Sequence, residues 1–547
     1  MKISNHVQKL SLGIVVAVTV ITVAFLQLTF HPQEPNLGLR ELQVKYAKED
    51  APGVDHSQFR ALNKNFKSPQ EVTETCISCH TDSHNEVMAS NHWNWDRVSY
   101  IEGKGINAIG KKNVLNNFCI GTSTNLEACA SCHTGYGLEN ANTFNFDEPK
   151  NVDCLSCHDN SENYVKKSGD SGYPVKNIDL KKVAQSVGKP IMTNCGTCHF
   201  YGGGGNNVKH GDLEQALYNA DREMDVHMAK DGIQMTCVDC HTAENHEIKG
   251  KLYSVSSQNI NRAECQSCHT NTPHLNDMLN THTAKVACQT CHIPTYAKEN
   301  PTKMAWYWST AGHLGDDGEP ITMVDSVTGA QKYLSKKGTF VWGSDLEPEY
   351  VWFNGKAQHY MLGETIDTTD GPVQINRLLG THADPNAKII PVKIHRGDQI
   401  YDTENMVLIQ PKLYSEHRGD SAFWKDFNWE TAAAAGMKDI GLKYSGSHDF
   451  VSTEMYWPIN HMVSPSNMSL QCADCHTQSD DGRLAELTGF YLPGRDSSSF
   501  FDGLGTWMLW LSFAGVLFHG GLRIVSHIRT SKNLEMKDYR EFGDEEN

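Results

Sequence analysis

Two long uncharged apolar segments stand near the ends of the 547-residue chain, and the sequence between them is mostly polar. The first runs from Leu10 to Phe30 and the second from Leu504 to Leu522. At about 1.5 Å of rise per helical residue, each is long enough to cross the hydrocarbon layer of a membrane. The pattern therefore predicts two transmembrane helices, over residues 10–30 and 504–526, that flank a region with the composition of a soluble protein.

Basic residues lie on the outer side of both segments, which predicts cytoplasmic termini (1–9 and 527–547) and an external central region. The alternative for the first segment is a cleaved signal peptide, but bulky residues at its end favour an uncleaved anchor. His519, inside the second segment, is a candidate b-haem ligand or quinol-site residue, with an interfacial histidine as the alternative. The basic residues are Lys2, Lys9, Arg523, Arg529 and Lys532.

Between these segments the pattern Cys-x-x-Cys-His occurs eight times. Two thiols three positions apart can form thioethers to both vinyl groups of one haem, and the adjacent histidine can bind its iron. Zinc would require four ligands per metal from paired motifs, whereas here each cysteine pair has its own histidine. The sequence predicts eight covalently bound haem c groups. Their attachment residues are Cys76, Cys79, His80; Cys129, Cys132, His133; Cys154, Cys157, His158; Cys195, Cys198, His199; Cys237, Cys240, His241; Cys265, Cys268, His269; Cys288, Cys291, His292; and Cys472, Cys475, His476.

Sixteen of the 17 cysteines belong to these motifs, and only Cys119 is left over. No cysteines remain for a disulfide framework, and covalent haem attachment takes place outside the reducing cytosol. That side agrees with the topology predicted from the basic residues. We expect a protein of the inner membrane with its haem region in the periplasm.

The motifs are unevenly spaced, which excludes a solenoid repeat and indicates short helices joined by loops. We expect a mainly α fold with long loops, built around a stack of eight haems and flanked by the two membrane helices. The predicted divisions are a seven-haem region (31–300), a haem-free aromatic-rich region (301–470), and the eighth haem with a linker (471–503). The middle region holds seven of the 11 tryptophans. It is interpreted as a packing domain that supplies distal ligands, with an interaction surface as the alternative.

Eight irons offer twice as many axial positions as there are motif histidines. Fifteen further histidines lie between His31 and the second apolar segment, so their number does not reveal whether one iron is open. An ordinary surface or core histidine is the alternative for each of them. The favoured sixth ligands are His92, His210, His227, His246, His282, His395 and His461, with His274 and His448 in reserve.

A glycine-rich loop, from Tyr201 to Asp212, directly follows the fourth motif. It lacks the Gly-Lys-Ser/Thr of a phosphate loop, and its four consecutive glycines would let the backbone approach a flat ligand. Adjacent Lys209 and His210 would point in different directions, so the loop could serve two neighbouring haems. A lysine amine binds iron only when deprotonated, which burial favours. On the residues alone, a solvated lysine is the better interpretation.

Several longer runs resemble the octahaem c-type cytochromes of the tetrathionate reductase family, over nearly the whole region between the apolar segments. The runs are Asn117-Phe-Cys-Ile-Gly121, Cys195-Gly-Thr-Cys-His-Phe-Tyr-Gly-Gly-Gly-Gly205, Val208-Lys-His-Gly-Asp212, His282-Thr-Ala-Lys-Val-Ala-Cys-Gln-Thr-Cys-His292 and Met455-Tyr-Trp-Pro458. In that family a lysine ligates the iron of one haem despite an ordinary motif, and this haem is the active site.

The resemblance implies that Lys209 is this ligand and that the second haem is catalytic. It also implies that Cys119 lies near that haem, where the alternative is an inert buried thiol. In that family an acidic residue lies three positions before the lysine, and here the position is Asn206. An amide does not deliver a proton as a carboxylic acid does, so the proton-delivery role does not carry over from the family at this position. Lys166 is the second candidate for the ligand. The membrane segments depart from a soluble relative and indicate coupling to membrane electron carriers.

The formal net charge is −17, so an anionic substrate would need a local basic entrance, for which Lys111 and Lys112 are candidates. The family resemblance implies reduction of tetrathionate, nitrite or hydroxylamine, small inorganic acceptors. The expected partner is a quinol-linked or b-type cytochrome electron donor in the membrane; we expect no nucleic acid, and a homo-oligomer is open. The alternative function is an electron conduit in which all eight irons are six-coordinate and none is catalytic.

Overall fold

The computed structural model describes residue 20, residues 53–253 and residues 256–543, with the backbone alone over 533–543. The first predicted membrane segment, residues 10–30, therefore lies outside the described residues apart from Val20. The same holds for the predicted cytoplasmic N-terminus and for the last four residues of the chain.

The helices before the last one are short, and most Cys-x-x-Cys pairs lie in or beside a helical turn. Residues three apart in a helix share a face, which brings the two thiols of one motif to the same side. The helices are α1 (Pro69–Ile77), α2 (Ser83–Met88), α3 (Asn91–Asn94), α4 (Leu126–Cys129), α5 (Leu155–His158), α6 (Leu180–Gln185), α7 (Met192–His199), α8 (Cys237–Cys240), α9 (Asp277–His282), α10 (Cys288–His292), α11 (Phe423–Asp426), α12 (Trp429–Asp439), α13 (Cys472–Cys475) and α14 (Ser499–Gly543).

Strands are concentrated in the second half of the chain. The strands are β1 (Arg97–Ile101), β2 (Gly105–Ile109), β3 (Ala243–Glu244), β4 (Glu247–Ile248), β5 (Thr302–Tyr307), β6 (Thr322–Val324), β7 (Gln331–Leu334), β8 (Gly338–Gly343), β9 (Glu349–Phe353), β10 (Ala357–His359), β11 (Val373–Gln374), β12 (Asn376–Leu378), β13 (Lys388–Asp402), β14 (Val407–Leu408) and β15 (His448–Pro458). Nine form one mixed sheet in the order β11-β15-β13-β5-β8-β7-β6, with β9 and β14 also paired to β13. Three two-stranded pairs, β1–β2, β3–β4 and β10–β12, complete the set.

The 15-residue strand β13 is the centre of the sheet. It pairs antiparallel with β15 from Val392↔Pro458 to Asp402↔His448, and parallel with β5 through Arg396↔Ala305. Nearly all of its residues are buried, so the strand is covered on both faces, which is typical of an interior strand. Two of its buried residues, Lys393 and His395, are polar and face the glycine-rich loop.

The prediction of a mainly α fold is wrong. In the part of the chain that the structure describes, helices make up 28% and strands 18%, and the sheets are mixed. The physical reason lies in the aromatic-rich region, where aromatic and β-branched runs such as residues 350–353 suit a pleated, half-buried surface. All strands from β5 to β15 fall within this region, for which the sequence analysis predicts a packing domain or an interaction surface but no strands.

The prediction of two membrane helices is also corrected. Within the described residues, one helix is long and apolar enough to cross a membrane: the part of α14 from Ser499 to Lys532, with a mean hydropathy of 1.5 in its most apolar window. No side chain of that window is buried against the rest of the protein. His519 lies in its middle with its side chain exposed.

The largest apolar core joins the sheet to the loops of the motif-bearing region. Phe118 and Val208, which precede Cys119 and Lys209, pack in one cluster with Trp306, Trp308 and sheet and helix residues between Phe340 and Met437. The positions of Cys119 and Lys209 are therefore fixed by the packing of the sheet.

Candidate functional site

Seven of the eight motif histidines each face a second histidine across a nearly constant gap. The ring centroids of these pairs are 6.1–6.3 Å apart. The pairs are His80–His56, His158–His246, His199–His92, His241–His461, His269–His227, His292–His274 and His476–His282.

This spacing fits an iron between two imidazoles. A histidine N–metal bond is about 2.0 Å and the ring nitrogen lies about 1.1 Å from the centroid, so two axial imidazoles would have centroids about 6.2 Å apart. The cysteine pair beside each motif histidine supplies the two thioether positions. The residues present therefore fit haem c held by two axial histidines at seven of the motifs.

The ring nitrogens that face away from these gaps have second partners. Nδ1 of His158, His241 and His476 bonds to the backbone carbonyls of Gly188, Lys249 and Pro493, at 2.6–2.8 Å. On the opposite faces, His461 Nδ1 lies 3.1 Å from an Asp212 carboxylate oxygen, and His246 Nδ1 lies 2.7 Å from one of Glu86. Such bonds orient a ligating imidazole and leave Nε2 free for a metal.

Thiols of different motifs lie close together and define a branched order of the motifs. Four thiol pairs perturb each other's pKa strongly, which places motifs one and three, two and four, four and five, and six and seven side by side; the pairs are Cys76–Cys154, Cys132–Cys198, Cys195–Cys237 and Cys265–Cys288. A weaker electrostatic effect on the pKa links motifs three and four, five and six, and seven and eight, through Cys157–Cys195, Cys240–Cys268 and Cys291–Cys475. The resulting order is 1-3-4-5-6-7-8, with motif two as a side branch at motif four.

His133 of the second motif differs from the other seven motif histidines. Its Nε2, the usual iron ligand, lies 2.5 Å from the backbone oxygen of Trp93, and its ring stacks on that indole with centroids 5.3 Å apart. Trp95, Phe144 and Phe146 complete an aromatic box around it. Burial lowers the pKa of His133 to about 3, so the ring is neutral. No histidine ring of the described residues faces it across a gap of the kind found at the other motifs.

Lys209 lies beside the same motif. Its side chain is half-buried, and its amine makes no hydrogen bond or ion pair within the described residues; the ring of Trp457 is 5.2 Å away. Burial lowers the pKa of Lys209, and the nearby thiols of Cys119, Cys132 and Cys129 act in the opposite direction. An amine with a lowered pKa and no partner is suited to binding a metal as the neutral ligand.

Strand β13 fixes the backbone of this lysine. The Lys209 carbonyl accepts hydrogen bonds from Lys393 Nζ at 3.0 Å and from His395 Nε2 at 2.6 Å. The loop reaches this point through Gly203 and Gly204, whose φ angles of +84° and +94° require glycine. The glycines therefore serve a tight approach of the loop to the sheet, and the sheet directs Lys209 towards the second motif.

Three lysines, of which Lys303 is buried and Lys209 and Lys337 are half-buried, lie near Cys119. Its thiol is close enough to oppose the lowering of the pKa of Lys209, Lys303 and Lys337 that burial causes. Lys303, 3% exposed, has its amine 4.0 Å from the ring centroid of Trp306 and 3.4 Å from that of Phe340. Burial and the neighbouring Lys337 lower the pKa of Lys303 to about 6. Lys303 and Lys337 were missed by the sequence analysis because they lie 171 and 205 residues after Cys132 of the motif that they approach.

The other predicted site residues have defined positions. Lys166 forms a buried ion pair with Asp153, 2.9 Å apart, and also donates to the His133 carbonyl. Asn206 accepts a hydrogen bond from the Gln215 backbone at 2.8 Å. Of the two lysines of the predicted basic entrance, Lys111 lies over the Trp95 ring, and its charge lowers the pKa of Lys209. Lys112 forms an ion pair with Asp96 at 3.1 Å.

Among the favoured sixth ligands, five face a motif histidine: His92, His227, His246, His282 and His461. The reserve candidate His274 and the unselected His56 take the other two places. His395 instead stacks between Phe118 and Trp457, at 4.0 and 4.9 Å, and His210 packs edge-on against Trp457. His448 bonds to the Tyr444 hydroxyl. His274 was kept in reserve by the sequence analysis, and we find no sequence signal that distinguishes His56.

A search of solved structures finds a crystal structure of octaheme cytochrome c from Shewanella oneidensis. It has 43% sequence identity and a TM-score of 0.71, and the match covers 78% of this chain and 94% of the other. The chain is an octahaem c-type cytochrome. The octahaem cytochrome also matches the family model "Cytochrome c bacterial" over residues 303–479. An uncharacterized protein of Archaeoglobus fulgidus is 27% identical over 267 residues, which are 39% of this chain and 86% of that protein.

This family assignment confirms the octahaem cytochrome that the eight motifs predict. The octahaem cytochrome is a multihaem redox protein that carries covalently bound haem c.

Proposed function

We propose that this octahaem cytochrome is a membrane-anchored reductase of a small inorganic acceptor, namely tetrathionate, nitrite or hydroxylamine. The reaction takes place at the second of eight haems, held by Cys129 and Cys132, with Lys209 as an axial ligand. The other seven carry electrons to it. The observation that carries the proposal is the contrast between seven facing histidine pairs and the one motif histidine whose Nε2 is engaged by a backbone carbonyl.

The residues around the second motif fit such a role. When bound, the haem there supplies one-electron iron chemistry and a coordination position for substrate. Burial lowers the pKa of Lys209, which favours the neutral amine that can bind iron. His133 does not compete for the iron as long as the Trp93 carbonyl holds its Nε2. One axial position is then left without a protein ligand.

The lysines near Cys119 support an anionic substrate. The global charge of −17 repels anions, but the amines of Lys303 and Lys337 form a local basic region beside the thiol. An anion would restore the charged form of Lys303 by raising its pKa, which makes the pocket responsive to the substrate's charge. Cys119 adds a thiol that can contact a sulfur substrate such as tetrathionate.

Helix α14 supports anchoring. Its apolar part carries Trp507 and Trp510 near the start and Arg523, Arg529 and Lys532 towards the end, the arrangement of an outer aromatic belt and inner positive charges. With this orientation the haem-binding region lies on the outer, periplasmic face. A quinol-linked donor in the membrane then supplies the electrons, and the small inorganic acceptor comes from the periplasm.

The test compares Lys209→Ala with Lys166→Ala. Both lysines lie near the second motif, but Lys166 is neutralised by Asp153. We expect Lys209→Ala to change the ligand field of one haem and to reduce turnover at least about 100-fold, a size typical of losing an essential active-site group. Lys166→Ala should weaken folding while the folded fraction keeps its spectrum and turnover.

Optical and electron paramagnetic resonance spectra, with turnover driven by a reduced dye, provide the readouts. An unchanged spectrum and turnover in Lys209→Ala, with loss of both in Lys166→Ala, would move the ligand to Lys166. If neither variant matters and no haem responds to cyanide, the protein is an electron conduit without a catalytic haem.

A further inference from the structure

We propose that the eighth haem, held by Cys472 and Cys475, is where electrons enter the protein from a membrane quinol. The inference rests on the proposed membrane anchoring and names the entry point of the same reductase. A hydroquinone would give up two electrons and two protons to become a quinone. Each electron reduces one ferric haem to ferrous, and the protons pass to the solvent on the outer face.

The first argument is the short connection between the eighth motif and the membrane helix. The backbone carbonyl of Pro493 accepts a hydrogen bond from His476 Nδ1 at 2.6 Å, and α14 begins six residues later, at Ser499. Six extended residues reach at most about 22 Å. From Ser499 to Trp507, at the proposed outer interface, the helix rises about 12 Å. Together these limits keep the eighth motif within about 34 Å of the proposed outer interface, whichever way the helix tilts.

The second argument is that this connection is fixed at its haem end. The Arg495 guanidinium donates to the carbonyls of Leu484, Leu487 and Phe490 at 2.6–3.0 Å and pairs with Asp496 at 2.8 Å. The side chain is largely buried. Residues 493–496 are therefore part of the folded haem-binding region, and only Ser497 and Ser498 remain to separate it from α14.

The third argument is the order of the motifs. The thiol contacts place motif eight at one end of the series and motif one at the other, with the second motif branching from motif four. Electrons that enter at motif eight would pass motifs seven, six, five and four to reach the second motif. The His476–His282 pair, with centroids 6.1 Å apart, gives the eighth haem the two histidine ligands of an electron-transfer site.

The test replaces one axial histidine at either end of the series. In the full-length haem-loaded protein in phosphatidylcholine vesicles that contain a reduced long-chain quinol, haem reduction is followed by absorbance after mixing. His282→Met should slow quinol-driven reduction of the other seven haems at least about tenfold, because methionine ligation raises the potential of the eighth haem and makes onward electron transfer uphill, at about 59 mV per tenfold for one electron. The matched variant His56→Met alters the first haem and should leave the rate within about twofold.

A photoreactive residue gives a second, electron-independent readout. Placed at the exposed Tyr491, it should form lipid adducts detectable by mass spectrometry, whereas at the exposed Ser57, beside the first motif, it should form none.

The assignment would be overturned if the rate of quinol-driven haem reduction fell more in His56→Met than in His282→Met. Lipid adducts at Ser57 alone would also overturn it. A wild-type protein that quinol does not reduce in these vesicles would overturn direct quinol oxidation. Dye-driven turnover with nitrite bypasses the membrane, so its presence or absence reports separately on the proposed reductase.

Discussion

The fifth and the second motif have the same five-residue pattern but opposite surroundings. His241 bonds through Nδ1 to the Lys249 carbonyl and turns towards the ring of His461, 6.2 Å away. His133 bonds through Nε2 to the Trp93 carbonyl and turns into an aromatic box. The nitrogen that the backbone engages decides whether the other can reach a metal. A motif thus specifies haem attachment, while its neighbours specify ligation.

The two motifs differ further in what approaches from elsewhere in the chain. At the fifth motif the approaching residue is a histidine held by Asp212. At the second it is Lys209, whose carbonyl is held by strand β13. The sheet therefore helps to position Lys209, the candidate ligand at the second motif that is not a histidine.

The largest effect that tests this comparison is expected from removing the two kinds of motif histidine. His158→Ala should leave its haem with one axial histidine and convert that haem from low spin to high spin, because His246 is then the single protein ligand. His133→Ala should leave the second haem attached with its ligand field unchanged. Electron paramagnetic resonance of both variants gives the comparison. A new high-spin signal in His133→Ala would contradict the sequestered role of this histidine.

An intermediate effect is expected at His395, which sequence reasoning favoured as a sixth ligand. His395→Ala removes the bond to the Lys209 carbonyl and the stacking between Phe118 and Trp457. We expect a loss of about 3 kcal/mol in unfolding free energy, comparable to other large-to-small core changes with a lost hydrogen bond. All seven histidine-paired haems should stay low spin. Thermal unfolding and spectra measure both, and loss of one bis-histidine signal would restore His395 as a ligand.

A smaller effect is expected from the lysines around Cys119. Lys303→Met should raise KM for nitrite about tenfold, or about 1.4 kcal/mol, by removing a buried amine that becomes charged when an anion binds. Uncharged hydroxylamine should be affected less. Lys332→Met, at an exposed lysine paired with Asp325, is the matched control. Equal effects on both substrates would contradict an anion-binding role for Lys303.

The smallest effect is expected at the thiol. Cys119→Ser should leave all haems attached and lower turnover of tetrathionate several-fold, about 1 kcal/mol, with little change for nitrite. Steady-state rates with both acceptors at saturating dye check this. If nitrite turnover falls as much as tetrathionate turnover, the thiol acts on the site as a whole rather than on a sulfur substrate.

The sequence was most informative where chemistry is local. Eight motifs predicted the haem class, and the spare cysteine and the glycine loop led to two residues that the structure brings together. The sheet was missed, because aromatic runs such as residues 350–353 were interpreted as packing without strand periodicity. The partners of single histidines were equally hidden: His56 and His395 have the same side chain, and only long-range packing directs one to a motif histidine and the other to a carbonyl.

The most direct test of the central claim is a count of haem ligation types in the full-length, oxidised protein. Near-infrared magnetic circular dichroism distinguishes bis-histidine from lysine-containing ligation, and cyanide or nitrite identifies an iron that can accept a ligand. The account predicts seven bis-histidine haems that do not respond and one distinct haem that does, lost as a distinct species in Lys209→Ala. Eight bis-histidine haems, none responsive, would contradict it.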